Sequence, residues 1–170
     1  MKSKATAAIL EMVNEIKKTA PKGEAFFDAL DECLSSTTNR WLITSAINAV
    51  PKSHTLILSG GFGKTVAELI DAGWLEKREY VLFAGGVRSG KGPVILRKTS
   101  KIGKRATFID DSIYGGATYY IIRDFIKAGG ELPIPTKCFV IYDGCPVTKP
   151  YVKSLFRYYD FFQATPNFKF

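Results

Sequence analysis

RATFIDDSIYGGATYYIIRDFIKAGG, residues 105–130, contains the clearest succession of secondary-structure signals in the chain. Its first part, RATFID, is largely apolar and predicts a strand that runs into two adjacent carboxylates, Asp110 and Asp111, which we call the acid pair. The glycines Gly115 and Gly116 follow, and ATYYIIRDFIKAGG then has the spacing of a helix closed by a second pair of glycines. The sequence therefore predicts a strand, a glycine-containing loop and a helix in direct succession.

A loop between a strand and a helix directs backbone N–H groups and the positive end of the helix dipole toward one point, which favours an anion there. The glycines allow close approach of the backbone, and Ser112 and Thr118 supply hydroxyl donors. The acid pair repels phosphate, but it can accept hydrogen bonds from vicinal hydroxyls or gather around a hydrated Mg²⁺. Acceptors for a diol beside an anion-binding loop describe a site for a ribose 5-phosphate.

The rest of the chain alternates between strands and helices, which favours an α/β fold with a largely parallel sheet and helices on both faces. HTLILSGG (54–61) predicts a buried strand, and EYVLFAGGVRSGKGPVILRK (79–98) predicts a hairpin with a long glycine-rich tip. Further elements are predicted as helices over 4–19, 24–35, 41–50 and 64–75, a strand over 136–144, and a short helix over 150–158. We expect one domain, 1–170, with its core at about 50–145.

The composition favours an anionic ligand and argues against a zinc-binding or membrane-spanning protein. The chain has 24 Lys and Arg against 16 Asp and Glu, a net charge of +8, which favours an anionic partner such as a phosphorylated metabolite, a nucleotide or a nucleic acid; a merely solvated basic surface is the alternative. Cys33, Cys138, Cys145 and the single His54 do not form a zinc-binding pattern, and they indicate reduced thiols. No apolar run reaches the ~20 residues of a membrane span. We expect a cytoplasmic protein without a membrane partner.

The acid-pair region resembles the signature loop of type I phosphoribosyltransferases, which bind phosphoribosyl pyrophosphate (PRPP). Asp110, Asp111, Gly116 and Thr118 match the pattern Asp-Asp, a few residues, Gly-x-Thr, and the lead-in IGKRATFIDD also matches. The resemblance implies that fold, with a hairpin lid and a small hood built from the chain termini. It also implies transfer of the 5-phosphoribosyl group from PRPP to a nucleobase-like acceptor with release of pyrophosphate, and it allows a homodimer.

The resemblance also assigns roles to residues. The acid pair would hold the ribose 2′- and 3′-hydroxyls, and Mg²⁺ would arrive with PRPP and could also contact Asp110 and Asp111. The 5-phosphate would be bound by the backbone amides of Ser112, Ile113, Tyr114, Gly115, Gly116, Ala117 and Thr118.

Two other glycine-rich segments correspond in position to the pyrophosphate loop and the lid of that family. Ser59, Gly60 and Gly61, with Lys64, would bind the leaving pyrophosphate; a tight strand-to-helix turn is the alternative. GGVRSGKG (85–92) would be the lid, with Arg88 and Lys91 neutralising pyrophosphate charge; an exposed hairpin with solvated charges is the alternative. Neither segment is a nucleotide-binding P-loop, since the first has the wrong spacing and the second leads into a strand.

One position departs from the family pattern. Tyr114 stands where 6-oxopurine enzymes carry an acid that acts at purine N7, which argues against that subclass. A tyrosine here resembles the bifunctional pyrimidine attenuation regulators, which bind RNA. With the net charge of +8, this leaves a second hypothesis, a non-catalytic regulator that has the same fold and binds nucleotide or RNA.

Overall fold

The structure is a computed structural model that describes residues 40–84, 90–145, 147 and 149–157, and in the first 33 residues only positions 11, 12, 15, 18, 29, 32 and 33. Those seven positions are helical, and the rest of the predicted helices over 4–19 and 24–35 lies outside the described residues. The same holds for the hairpin tip at 85–89, including Arg88, and for residues 158–170.

Within the described residues, three longer helices and six strands alternate along the chain. The helices are α1 (Arg40–Ala49), α2 (Gly60–Asp71) and α3 (Ala117–Gly129). The strands are β1 (His54–Ser59), β2 (Tyr80–Ala84), β3 (Val94–Lys98), β4 (Arg105–Ile113), β5 (Pro135–Asp143) and β6 (Val152–Arg157). They form one sheet in the order β3-β2-β1-β4-β5-β6, in which every neighbouring pair is parallel except the antiparallel β2–β3 hairpin. The predictions of a mostly parallel α/β sheet and of a hairpin are confirmed.

Helices cover both faces of this sheet, so its inner strands β1, β2 and β4 are largely buried on both sides, as parallel strands usually are. On one face, residues of α1 and α2 pack against Leu56, Leu58, Leu82 and Ile109. On the other, Tyr119, Ile122 and Ile126 of α3 pack against Ile57, Val81, Phe83 and Phe108. Neighbouring strand residues thus belong to opposite cores, as the period of two in a strand requires. The prediction of helices on both faces is confirmed. No helix among the described residues is long and apolar enough to cross a membrane.

The amino end of β1 is joined to α1 by one buried arginine. Arg78 is only 4% exposed. Its Nη1 donates to the carbonyls of Ile47 and Val50 at 3.1 and 3.2 Å, and its Nη2 donates to those of Pro51 and His54 at 2.7 and 3.4 Å. A planar guanidinium can satisfy several acceptors at once, so this side chain fixes the connection from α1 to β1.

The predicted helix over 150–158 is wrong, because residues 152–157 form the edge strand β6. It pairs in parallel with β5, from Cys138↔Val152 to Asp143↔Arg157. Val152 packs against the α3 core and Leu155 against the opposite core, so its side chains alternate between faces. A strand here satisfies backbone groups of β5 that a helix would leave unpaired. Residues of α1 and of β6 also pack in the core, so the core extends beyond residues 50–145 at both ends of that range.

Candidate ligand-binding site at the carboxyl ends of β1 and β4

The topology brings two glycine-containing junctions together at the centre of the sheet. From β1 the chain passes through α2 to β2, and from β4 it passes through α3 to β5, on opposite faces and in opposite directions. In open α/β sheets ligands bind in the crevice at such a reversal, outside the carboxyl ends of the strands. The last registered pair of β1 and β4 is Leu58↔Ile109, so the next residues are Ser59 and Asp110. The segments predicted to bind pyrophosphate and ribose phosphate therefore begin side by side.

The acid pair lies inside β4 and not in the loop after it, since β4 continues to Ile113 and pairs with β5 as far as Asp143. Asp110 and Asp111 are both half-buried. The Oδ1 of Asp110 accepts the Asp111 N–H at 3.0 Å, and the Oδ1 of Asp111 accepts the Ser112 N–H at 2.7 Å. These bonds fix one oxygen of each carboxylate near the carboxyl end of β4. Ser112 and Ile113, which we expected in the loop, are the last residues of the strand.

The loop proper, which we call the acid-pair loop, is short and consists of Tyr114, Gly115 and Gly116. Gly116 has φ +83°, in the left-handed region, and is the N-cap of α3. A Cβ at Gly116 would lie 3.0 Å from the Tyr151 hydroxyl, so a larger residue is excluded by conformation and by space. Ala117 and Thr118 form the first turn of α3, whose leading N–H groups have no intrahelical acceptor. The backbone here has the arrangement that binds anions at a helix N-terminus.

The junction after β1 is tighter than predicted, because α2 starts at Gly60 directly after Ser59, and not near Lys64. Ser59 is the N-cap and is 4% exposed. A Cβ at Gly60 or Gly61 would meet no atom within 4 Å, so open space lies over this first helical turn. Lys64 is well exposed and lies 4.0 Å from the carboxylate of Glu68 on the surface of α2. The amides thus adjoin the crevice, whereas the position of Lys64 is that of a surface side chain.

The β2–β3 hairpin extends from the sheet at the carboxyl ends of the parallel strands, next to the site. β2 is parallel to β1 with Ser59 opposite Phe83, and β2 ends at Ala84, where the glycine-rich tip begins. Lys91, on the returning side of the tip, is exposed. Arg88 lies outside the described residues. The position of the hairpin agrees with a lid, and its role there stays a prediction.

Sequence reasoning missed the segment that follows β5, which packs against the acid-pair loop. The Gly144 N–H donates to the Ile113 carbonyl at 2.9 Å, the Cys145 thiol contacts the Tyr114 carbonyl, and the Lys149 ammonium donates to the Gly115 carbonyl at 2.7 Å. The only signal in the sequence was the Asp-Gly dipeptide at the end of a strand. It indicates a turn, but it does not indicate which part of the chain that turn packs against.

Tyr114 has its ring within the protein. It lies against Gly144 and forms an edge contact with Tyr142, with ring centroids 6.3 Å apart. Its half-buried side chain therefore packs against the end of β5 and the segment after it. Burial, with a hydrogen bond to Asp143, raises the pKa of the neighbouring Cys145 thiol to about 11, so this thiol stays protonated at neutral pH.

Among the described residues, no group of three or more His, Cys, Asp or Glu side chains converges to hold a metal ion. The acid pair nevertheless fits Mg²⁺ chemically, because carboxylates are its preferred protein ligands and Mg²⁺ commonly binds one or two of them together with substrate phosphates.

Solved structures of phosphoribosyltransferases share this architecture. Orotate phosphoribosyltransferase from Aeropyrum pernix superposes with a TM-score of 0.53 at 12% identity, over 81% of this chain and 80% of that one. Purine phosphoribosyltransferase from Pyrococcus horikoshii Ot3 gives a TM-score of 0.44 at 18% identity, over 71% of this chain and 82% of that one. No protein-family model matches the chain, and no curated protein matches it significantly. The superposition on the orotate enzyme shows that the chain has the type I phosphoribosyltransferase fold, as the acid-pair motif led us to expect.

Proposed function

We propose that this protein is a phosphoribosyltransferase, which transfers the 5-phosphoribosyl group from PRPP to a nucleobase-like acceptor and releases pyrophosphate. The observation that carries the proposal is the meeting of two strand–glycine–helix junctions at the reversal point of a phosphoribosyltransferase fold, with a carboxylate pair at the end of one of them. The first junction offers helix-terminal amides for a phosphate, and the acid pair offers acceptors for the ribose hydroxyls.

Each group has a distinct task in the proposed reaction. A carboxylate accepts several hydrogen bonds, so Asp110 and Asp111 can bind the ribose hydroxyls in addition to the backbone N–H groups that orient them. The amides of residues 112–118 bind the 5-phosphate, and the first turn of α2, from Ser59 to Gly61, binds the pyrophosphate. Arg88, Lys91 and Lys64 are the cations proposed to neutralise the leaving group.

The chemistry requires little beyond this positioning. As the bond between C1 and the pyrophosphate oxygen breaks, C1 gains positive charge and the oxygen gains negative charge. The acceptor nitrogen then bonds to C1, and an acceptor that carried a proton on this nitrogen releases it to water. The residues hold the ribose in line with the acceptor and stabilise the departing anion, which makes a protein nucleophile unnecessary. Mg²⁺, held by Asp110, Asp111 and oxygens of PRPP, would supply charge neutralisation of the pyrophosphate.

The test is PRPP binding by isothermal titration calorimetry in Mg²⁺ buffer, for the wild type, Asp110→Asn and Asp111→Asn. A hydrogen bond to a charged group is worth about 1.5–3 kcal/mol, so each variant should bind PRPP roughly 10- to 150-fold more weakly. Asp124→Asn is the matched control, because Asp124 lies exposed on α3, paired with Arg123, and its loss changes the net charge equally. Unchanged PRPP affinity in both acid-pair variants would refute the assignment. Pyrophosphate release over a panel of purines, pyrimidines, orotate and pyridine carboxamides identifies the acceptor.

A second candidate function is a non-catalytic regulator that binds nucleotide or RNA. It is favoured by Tyr114, which stands in the sequence where 6-oxopurine enzymes carry an acid, and by the net charge of +8. RNA affinity that falls steeply with salt, with no pyrophosphate release on any acceptor, would support this alternative over the transferase.

A further inference from the structure

We infer that Lys149 is a positioning residue for the acid-pair loop, which it holds so that the loop's backbone N–H groups face the 5-phosphate. The inference rests on the proposed function, because it assumes that PRPP binds at this loop. It adds one residue, outside the sequence motif, on which that binding depends. Lys149 lies in the chain between β5 and β6, and its ammonium donates to the Gly115 carbonyl at 2.7 Å.

Three consecutive carbonyls, that of the last β4 residue and those of the first two loop residues, are engaged by the segment after β5. The Gly144 N–H binds that of Ile113, the Cys145 thiol contacts that of Tyr114, and Lys149 binds that of Gly115. The peptide group is planar and trans, so the N–H of each following residue points the opposite way. The N–H groups of residues 114, 115 and 116 are therefore directed away from the segment after β5.

Of these three donors, only Lys149 carries a charge. Its hydrogen bond acts on the peptide group between Gly115 and Gly116, because it binds the carbonyl oxygen of that peptide. Hydrogen bonds from an ammonium are shorter and stronger than neutral ones. A carbonyl polarised by a cation makes the N–H of the same peptide a better donor, because hydrogen bonds in series strengthen one another. The same chain segment also fills the space beneath Gly116, where a Cβ would meet the Tyr151 hydroxyl at 3.0 Å and the Lys149 ammonium at 3.5 Å.

Removing the charge should leave the fold intact. Lys149 is half-buried, and its backbone carbonyl accepts the Val152 N–H at 3.0 Å whatever its side chain. Lys149→Met retains an apolar stem of similar length and loses the ammonium alone. Lys149→Arg restores a cation, and Lys149→Gln provides a second neutral variant. Lys153→Met is the matched control, because Lys153 is exposed on the adjoining strand β6 and its replacement changes the net charge equally.

The experiment measures dissociation constants for PRPP, ribose 5-phosphate and free pyrophosphate by calorimetry in Mg²⁺ buffer, with the thermal midpoint of each variant as the check on folding. Lys149→Met and Lys149→Gln should bind PRPP and ribose 5-phosphate about tenfold more weakly, as expected for a lost charge-assisted hydrogen bond. Their pyrophosphate affinity should match the wild type. Lys149→Arg should recover most of the loss, and Lys153→Met should bind all three ligands as the wild type does.

Two results would overturn the inference. One is wild-type affinity for ribose 5-phosphate in both neutral variants, and the other is an equal loss for pyrophosphate, which would indicate a general effect of charge. If Asp111→Asn weakens PRPP binding while Lys149→Met does not, the proposed function survives and the role of Lys149 fails. If the wild type binds neither PRPP nor ribose 5-phosphate, both fail together.

Discussion

Gly144, in the segment after β5, lies directly against the ring of Tyr114 in the acid-pair loop, and Gly144→Ala tests how far that contact controls the loop. A Cβ on Gly144 would lie 2.4 Å from both Cδ1 and Cε1 of Tyr114, and 3.2 Å from Cε1 of Tyr142. Gly144 does not have a positive φ, so alanine introduces no conformational strain there. The effect of the substitution is therefore steric, and it acts on one ring.

The size of the effect follows from these distances. Carbon atoms pack best at about 3.5–4.0 Å, so the Tyr114 ring has to move by roughly 1 Å. Because this ring packs against the buried Tyr142, it cannot swing into solvent without leaving a gap. Overpacking of this kind costs about 1–3 kcal/mol in the free energy of unfolding. For a chain of this length, that corresponds to a fall of about 2–12 °C in the thermal midpoint.

Urea denaturation and thermal melts measure this loss directly. Gly129→Ala is the control, since a Cβ there meets nothing within 4 Å at the last residue of α3, and it should be neutral or stabilising. In a Tyr114→Ala background the same Gly144→Ala change should cost much less, because the obstructing ring is gone. We also expect Gly144→Ala to weaken PRPP binding, since Tyr114 is part of the loop. An equal cost with and without the Tyr114 ring would refute the steric argument.

Two further predictions concern the amino ends of the strands, opposite the candidate ligand-binding site. Arg78→Met should lower the free energy of unfolding by at least about 3 kcal/mol in urea titrations, because four carbonyls lose their donor; a loss under 1 kcal/mol would contradict that account. Burial, and then the charges of Arg105 and Arg78, lower the pKa of His54, so the unfolded chain binds the proton more readily. The wild type should therefore lose stability relative to His54→Gln as the pH falls through roughly 6.5, and a relative gain on acidification would contradict this.

Much of the fold could be predicted from local sequence. The run from Arg105 to Gly130 contains a strand, a glycine loop and a helix whose signals agree with one another, and the structure has all three. The hairpin was also predictable, since two β-rich runs flank a glycine-rich tip. These features depend on residues close together in the chain, where periodicity and turn chemistry carry the information.

What could not be predicted depends on distant partners. Val152 and Leu155 are spaced as on a helix, but β5 offers them an unpaired edge and they become part of a strand. Ile113 extends β4 past the acid pair because Asp143 of β5 pairs with it. The contact of Lys149 with the Gly115 carbonyl spans 34 positions, and no local pattern encodes it. The role of the site residues stays a prediction, because it concerns a ligand and not the fold.

The buried Arg78 and the acid-pair loop lie at opposite ends of parallel strands, and this separation bears on how the protein can be modified. β1 runs from His54, whose carbonyl binds Arg78, to Ser59 beside the crevice, a distance of about 17 Å for six residues. Effects of distant substitutions usually add independently. Substitutions around Arg78 could thus be selected for thermostability without changing the loops. Substitutions in the loops could then be selected for acceptor preference, because the added stability offsets the stability that they cost.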